Sequence, residues 1–469
     1  IKTGAGILSL GTANAHTGGT VVNAGTVIFG NATAPGPVAA GITNNGATFR
    51  VNGAIVIDHV LEFNGNCNVE FSGVAAGNVV LRGSWFGSGN VLVNFLTQNA
   101  TQTFTIGGAG QGGGNLANFS GTVDFGTNSG SLRLNNDNAT SNFGSALATF
   151  NLGTGTGTML HRNGGTYVYL GALFGGASTK LSGRGNGTAG TVTYEIGGKG
   201  IDCNFDGAIV DGGGATAIVK VGTNKLTLSG VCTHTGATTV NAGTLEVNGS
   251  LASGANLNAG LLTGNGALGG TVNLYSGATF TPGGNAIGQF SMSGTLAMAA
   301  GSTNIFQLNK AGATNDSVIA LNTLTCGGSL VITNLGGALA NGDVFPLFKF
   351  AGATNITGTF DQIILPAPPA GISWNTNEIY LSGQLVLGTA AVAAPKFNST
   401  SLTGNQLVFS GTNGSANGNY YVVTHTNVAA PATNWVSIAT NVFAPDGSFN
   451  FTNTLNPNAP QKYFRIQLP

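Results

Sequence analysis

Val22-Asn-Ala-Gly-Thr26 recurs unchanged as Val240-Asn-Ala-Gly-Thr244. The repeat extends beyond this run, because residues 1–27 align without a gap with residues 219–245, and thirteen of the 27 positions are identical. A repeat of this length predicts a fold made by stacking similar units, each in contact with its neighbours along the stack. This architecture favours a structural or adhesive protein.

The composition narrows the class of protein further. Only 6% of the 469 residues are charged, against about 25% in an ordinary globular protein, and 79 residues are glycine. The hydrophobic fraction of 42% is too high for a disordered chain. Zero net charge and the absence of a basic run exclude a nucleic-acid partner, which needs clustered Lys and Arg. A neutral surface favours association with itself or with an uncharged surface such as a polysaccharide.

The sequence also bears on the compartment. It contains no run of 18 apolar residues, so we predict no membrane-spanning helix. It begins at Ile1 rather than Met, and we expect a mature form whose secretion signal has been removed, although a trimmed chain would look the same.

Four cysteines occur without Cys-x-x-Cys spacing: Cys67, Cys203, Cys232 and Cys326. We expect buried thiols, since free cysteine is among the most buried residue types. A disulfide between Cys203 and Cys232 is the alternative, which an oxidising extracellular setting would permit.

Strand signals dominate the chain, whereas helical periodicity is almost missing. Short β-branched runs such as Thr26-Val-Ile-Phe29 and Thr244-Leu-Glu-Val247 are separated by Gly, Asn and Ser. With the repeat, they predict a β-solenoid, in which inward Val, Leu and Ile of successive coils form one core. Gly25 and Gly243 are expected at tight corners that need positive φ. Asn23 and Asn241 are expected to hydrogen-bond along the stack as ladders.

The pattern divides the chain into three regions. Residues 1–210 read as β-helix with less regular coils, in which glycine-rich stretches such as Gly107–Asn115 fit loops. Residues 211–390 read as more regular β-helix. Ala390-Ala-Val-Ala-Ala-Pro395 is typical of a linker. Residues 396–469 concentrate aromatic residues in alternating runs, which predicts a small β-sandwich.

The second repeat resembles a known family. Gly222-Thr-Asn-Lys-Leu-Thr-Leu-Ser-Gly230, followed by His234-Thr-Gly-Ala-Thr-Thr-Val-Asn-Ala-Gly-Thr-Leu245, is similar to the autotransporter-associated β-strand repeat. The resemblance covers about 211–387 and 1–30. It implies a right-handed parallel β-helix that is secreted or displayed on a bacterial surface. The tail, with Thr433-Asn-Trp435 and Tyr463-Phe-Arg465, resembles C-terminal domains of large secreted bacterial β-helix proteins, which implies attachment, sorting or assembly.

No catalytic constellation stands out in the sequence. Asp202, Asp206 and Asp211 form the densest acidic cluster, and on a strand the first two would share a face and hold Ca²⁺ or a substrate. We interpret them instead as solvated turn residues. His16 and His234 occupy equivalent repeat positions, which repeat architecture explains better than chemistry. We therefore predict no catalytic residue, metal or cofactor.

Three functions are compatible with this sequence. The first is a non-enzymatic, extracellular structural subunit that self-assembles head to tail into a surface filament or sheath, because open strand edges at the ends of a solenoid pair with other chains. The second is a monomeric surface adhesin that binds a glycan such as cell-surface polysaccharide. A polysaccharide-degrading enzyme is third, since paired carboxylates are scarce. The candidate assembly residues are Ile1, Lys2, Ile7, Leu8, Leu10, Trp435, Tyr463 and Phe464.

Overall fold

The computed structural model describes residues 1–73, 78–97, 100–108, 116–135, 143–162, 167–185, 190–388, 395–414, 418–431, 434–444, 446–458 and 461–468. The chain forms two compact units. The first contains residues 1–339, 344–367 and 376–386, and the second contains residues 340–343, 368–375 and 387–469. Within the predicted loop at 107–115 and the predicted linker at 390–395, residues 109–115 and 390–394 lie outside the described ranges.

The first unit is a parallel β-helix whose longest sheet runs through the whole unit. This long sheet has sixteen parallel strands. In spatial order they are β1 (Ile7–Leu10), β3 (Thr26–Phe29), β5 (Thr48–Asn52), β8 (Asn66–Ser72), β11 (Asn90–Phe95), β13 (Thr122–Asp124), β15 (Phe143–Asn151), β17 (Tyr167–Phe174), β19 (Val192–Ile196), β22 (Thr216–Lys220), β25 (Thr238–Val240), β28 (Ala255–Leu257), β31 (Val272–Leu274), β34 (Thr295–Met298), β38 (Thr323–Cys326) and β42 (Ile356–Gly358).

Two further parallel sheets complete the coils before about residue 210. One contains β2 (Thr20–Val22), β4 (Ile42–Asn45), β7 (Leu61–Asn64) and β10 (Trp85–Phe86). The other contains β6 (Val56–Ile57), β9 (Asn78–Leu81), β12 (Thr103–Gly107), β14 (Ser131–Asn135), β16 (Thr158–Arg162), β18 (Lys180–Arg184) and β21 (Ala208–Val210). A short 3₁₀ turn lies at Val38–Ala40.

A different pair of sheets completes the later coils. One contains β20 (Cys203–Phe205), β23 (Lys225–Leu228), β26 (Thr244–Val247), β29 (Gly260–Gly264), β32 (Ala278–Pro282), β35 (Thr303–Asn309), β39 (Ser329–Gly336) and β43 (Gln362–Ile364), with β36 (Thr314–Asn315) antiparallel to β35. The other contains β24 (Val231–Cys232), β27 (Ser250–Leu251), β30 (Ala267–Leu268), β33 (Gln289–Met292), β37 (Ser317–Leu321) and β41 (Phe348–Phe350). The predicted boundary at residue 210 stays a prediction.

The core of this unit is built by in-register stacking. Leu226, Leu245, Leu262 and Phe280 follow one another on successive coils and are fully buried. On each strand the preceding residue is less buried, so the alternating pattern in the sequence determines which side chains enter the core. The predicted parallel β-helix is confirmed.

A short helix and an antiparallel strand pair lie near the C-terminal end of the β-helix. α1 (Asn377–Ser382) buries Ile379, and Gly383 follows it in the left-handed conformation with φ 76°. The carbonyl of Gly383 accepts hydrogen bonds from the backbone amides of Leu347 and Phe348. β40 (Val344–Pro346) pairs antiparallel with β45 (Gln384–Leu387).

The second unit is a small antiparallel β-sandwich, as predicted. One sheet contains β46 (Lys396–Thr403), β47 (Gln406–Thr412) and β50 (Phe449–Thr454), and the other contains β49 (Val436–Val442), β48 (Asn419–His425) and β51 (Tyr463–Gln467). β44 (Trp374–Asn375) is a short strand of the same unit. The core of the sandwich is formed by Phe409, Tyr420, Val422, Phe443 and Phe449.

Candidate functional site

Five of the predicted assembly residues lie at the N-terminal end of the β-helix. β1 is the first strand of the long sheet and pairs with β3 alone among the described strands. Ile1 is 88% exposed, Ile7 65% and Leu8 41%. Leu8 and Leu10, together with Lys2, line an open depression of about 360 Å³. This end therefore presents an unpaired strand edge beside apolar side chains.

The second repeat shows the same positions in a covered state. Leu226 and Leu228 correspond to the two leucines of β1, and they are 0% and 1% exposed. β20 covers them in register, with Cys203 opposite Leu226 and Phe205 opposite Leu228. In the described chain, the N-terminal repeat therefore lacks a covering strand. Such a strand would supply two inward apolar side chains separated by one outward residue.

A lysine ammonium lies among backbone carbonyls in the second repeat. The Nζ of Lys220 donates to the carbonyl oxygens of Val221 at 2.6 Å, Gly222 at 3.0 Å and Ala242 at 3.4 Å, and to Oδ1 of Asn224 at 3.4 Å. The side chain is fully buried. Burial lowers the pKa of Lys220 to about 8, against the opposing effects of the nearby Cys203 and Asp202.

The first repeat builds the same arrangement. Lys2 Nζ donates to the carbonyls of Gly4 and Ala24, which correspond to Gly222 and Ala242. The sequence predicts a role in assembly for Lys2 and none for Lys220. The sequence does contain a signal for this arrangement, because the lysine and the two residues whose carbonyls accept its hydrogen bonds are identical in both repeats.

A histidine–threonine bond also recurs. Nε2 of His16 lies 3.2 Å from Oγ1 of Thr20, and Nε2 of His234 lies 2.9 Å from Oγ1 of Thr238. Burial lowers the pKa of His234, which Asp211 opposes. Because the bond is the same in both repeats, repeat architecture accounts for these histidines.

The asparagine ladder predicted for the corners is present. Nδ2 of Asn64 donates to Oδ1 of Asn45 at 3.0 Å, and Nδ2 of Asn45 donates to Oδ1 of Asn23 at 2.8 Å. In the second repeat, Asn258 donates to Asn241 at 2.9 Å. In all three bonds the later coil donates to the earlier one, so the ladder has a direction.

The corner glycines also behave as predicted. Gly25 and Gly243 have φ values of 72° and 70°. A Cβ atom at Gly243 would collide with the carbonyl oxygens of Gly222 and Asn224, and one at Gly25 would collide with that of Gly4. Both the backbone conformation and the close approach of the preceding coil therefore require glycine.

The three aspartates make separate local hydrogen bonds. Asp202 accepts from the backbone amide of Lys225 at 2.7 Å, and Asp206 accepts from the side chain of Asn204 at 2.9 Å. Asp211 accepts from the Thr235 hydroxyl at 2.7 Å; although burial acts to raise its pKa, the bonds that it accepts lower it. Within the described ranges, no three His, Cys, Asp or Glu side chains converge as metal ligands.

The four cysteines are free and buried. The Cys203–Cys232 disulfide that the sequence left open is therefore not formed. Burial raises the pKa of Cys232 to about 11, which keeps this thiol protonated and unreactive at neutral pH.

The remaining predicted assembly residues belong to the second unit. The half-buried Trp435 ring has the Arg465 guanidinium 5.8 Å from its centroid and the His425 ring 5.9 Å away. Tyr463 is half-buried on β51. Phe464 packs against Phe409 at 5.8 Å between centroids, so its side chain is held by the core of its own unit.

Comparison with known proteins supports the resemblance seen in the repeats. The family model for the passenger-associated-transport repeat matches residues 1–28 and 218–247. These two segments are passenger-associated-transport repeats. Repeats of this kind are associated with autotransporter passengers, and they indicate a secreted or cell-surface location. No curated protein matches the chain. Over the described part of the chain, no helix has the length and apolarity needed to cross a membrane.

Proposed function

We propose that the protein is a structural subunit that joins head to tail with further copies into an extracellular filament or sheath. The observation that carries this proposal is the contrast between the two passenger-associated-transport repeats. β20 covers the second repeat, whereas in the first repeat Leu8 of β1 is exposed and Leu10 is only half-buried. A strand from a second copy, added beside β1, would supply the missing cover by strand addition.

The direction of the asparagine ladder supports a head-to-tail contact. Each later coil donates to the earlier one, so Nδ2 of Asn23 is the donor at the N-terminal end of the ladder. A copy stacked with the same strand direction would present an acceptor to this donor. A head-to-head copy would instead bring two amide donors together. Head-to-tail contacts that do not close into a ring produce filaments.

The proposed receiving surface is the C-terminal edge of the β-helix in the next copy. β42 and β43 are the last strands of their sheets. Thr357 and Gln362 are exposed there, and Ile364 is 44% exposed. The zero net charge of the chain supports the contact, since no charge repulsion has to be overcome. We further propose that the role is non-catalytic, which the separate local bonding of the three aspartates supports.

Electron microscopy of the native protein at neutral pH tests this function, with deletion of residues 1–10 as the decisive variant. We expect uniform filaments from the native protein and isolated particles from the deletion. Leu8→Glu should have the same effect as the deletion. Leu147→Glu is the matched control, because Leu147 is 50% exposed on β15, in the middle of the long sheet and away from both ends.

Filaments that persist after the deletion would overturn the proposal. Isolated rods from the native protein would also overturn it and would favour the monomeric adhesin. Hydrogen exchange distinguishes one further outcome. If the backbone amides of β1 are protected from exchange in isolated rods, other residues of the same polypeptide cover this end.

A further inference from the structure

The second unit contains an open cleft with an uncharged polar lining. Its volume is about 680 Å³, and none of the eleven described residues that line it carries a charge. Seven of these side chains carry an amide or a hydroxyl group; one is the buried Tyr420, and the other six are aliphatic. They are Asn398, Ser410, Thr412, Asn441, Ser448 and Asn450.

Strand pairing places the polar side chains at facing positions in both sheets. Ser410 lies opposite Asn450 where β47 pairs with β50, and Asn441 lies opposite Tyr420 where β48 pairs with β49. Nδ2 of Asn398 donates to Oγ1 of Thr412 at 3.1 Å, which fixes the amide at one side of the cleft. The lining is therefore built by regular strands of the sandwich.

Aromatic rings form the inner part of the cleft. Tyr420 and Phe449 are almost fully buried and lie 5.6 Å apart between ring centroids. Gly411 lies beside them, and a Cβ atom there would collide with the Phe449 ring. Beside these buried rings the cleft offers neutral hydrogen-bonding groups and the apolar side chain of Val442, which is 58% exposed.

This combination selects one class of ligand. A charged ligand would lose hydration without meeting an opposite charge, and a purely apolar ligand would leave amides and hydroxyls unpaired. A neutral saccharide meets both demands, because its hydroxyls donate and accept while its C–H faces pack on apolar surface. The volume lies within the usual range for small-molecule sites, about 300–1,000 Å³.

We propose that this cleft binds a neutral saccharide. The inference concerns the sandwich alone and is independent of subunit assembly. Asn441 and Asn450 are the specificity-determining residues, since each amide offers a donor and an acceptor to a pair of neighbouring hydroxyls. They stand on β49 and β50, which belong to different sheets.

The test is isothermal titration of the full chain with cellohexaose, maltohexaose and mannohexaose, and with oligogalacturonate as an anionic counterpart. We expect at least one neutral hexasaccharide to bind in preference to oligogalacturonate. The double variant Asn441→Ala/Asn450→Ala should weaken that binding by about tenfold, as expected for the loss of two or more hydrogen bonds. Asn453→Ala is the matched control on β50, because Asn453 lies outside this cleft.

Three results would overturn the proposal: no binding of any neutral hexasaccharide, tighter binding of oligogalacturonate, or equal binding by the native chain and the double variant. Circular dichroism of the variants separates a lost contact from a lost fold. If the double variant is misfolded, the single Asn450→Ala change, at an exposed position, gives the same test with a smaller expected loss of about threefold.

Discussion

The two passenger-associated-transport repeats place the same residues in different surroundings. Leu8 is 41% exposed, whereas its counterpart Leu226 is fully buried, and His16 is exposed whereas His234 is buried. Yet the histidine–threonine bond and the lysine among backbone carbonyls form in both. The repeat thus determines its own corner geometry, while a neighbouring coil provides its burial.

This difference shows where the stability of the fold arises. In a solenoid, each coil gains most of its stability from contact with adjacent coils. A repeat without a covering strand is therefore less stabilised than a covered one of similar sequence. Equivalent substitutions in the two repeats should have unequal effects, and the inequality measures what a covering strand contributes.

The largest expected effect is at the leucine that is buried in one repeat and exposed in the other. Leu226→Ala should lower the free energy of unfolding by about 2–5 kcal/mol, because it leaves a cavity between two covering strands. Leu8→Ala should cost less than about 1 kcal/mol, since its side chain is already partly in water. Urea denaturation of dilute, unassembled protein measures both.

Equal losses of unfolding free energy in Leu226→Ala and Leu8→Ala would mean that β1 is as well covered as β23. That result would contradict the difference in burial between the two repeats. In assembled protein the expectation changes. If a second copy covers β1, Leu8→Ala should weaken assembly more than it weakens the fold.

A second difference concerns the pH dependence contributed by Lys220. Its pKa of about 8 in the folded protein lies below its usual value near 10.5. Between these values the unfolded chain binds more protons than the folded one, so this lysine makes stability rise with pH across that window. The rise amounts to about 3 kcal/mol. Lys220→Met should remove it, which denaturation at about pH 7.5 and about pH 10 would detect as a change in slope relative to the native protein.

The native protein and Lys220→Met should be compared directly, because buried thiols such as Cys232, whose pKa is raised, contribute the opposite trend at high pH. An unchanged slope in Lys220→Met would show that this ammonium is hydrated in solution. Lys2→Met, at the equivalent and half-buried position of the first repeat, is the matched substitution with which Lys220→Met is compared.

Much of the fold follows from local patterns in the sequence. The alternation in Thr26-Val-Ile-Phe29 identifies β3 and its inward residues Val27 and Phe29, which are fully buried. Gly25 and Asn23 are recognisable as corner residues because positive φ and side-chain ladders favour these residue types. Such features depend only on one coil and its immediate neighbour, so they can be predicted from the repeated sequence.

Other features depend on partners that are distant in sequence. The cleft of the second unit combines Asn398 with Asn450, which come from the first and the fifth strand of the sandwich. Period-two alternation gives the face of a strand but not which strands become neighbours, so this cleft could not be derived from the sequence.

The smallest expected effect concerns the asparagine ladder, and it separates stability from assembly. Asn45→Ala removes two side-chain bonds from the exposed ladder, whereas Asn258→Ala removes the bond to Asn241. We expect losses of about 1 kcal/mol and about half of that, because each exposed bond contributes little in water.

Asn23 stands at the end of the ladder, so its Nδ2 group should matter to assembly more than to folding. Asn23→Asp keeps the acceptor for Asn45 but replaces the terminal donor with a second acceptor, which would repel an acceptor on an incoming coil of the same direction. Filament growth followed by light scattering should therefore slow in Asn23→Asp while the urea midpoint changes little. Unaltered growth would show that Asn23 has no partner in the next copy. The leucines of β1 alone would then have to determine the head-to-tail orientation of the copies.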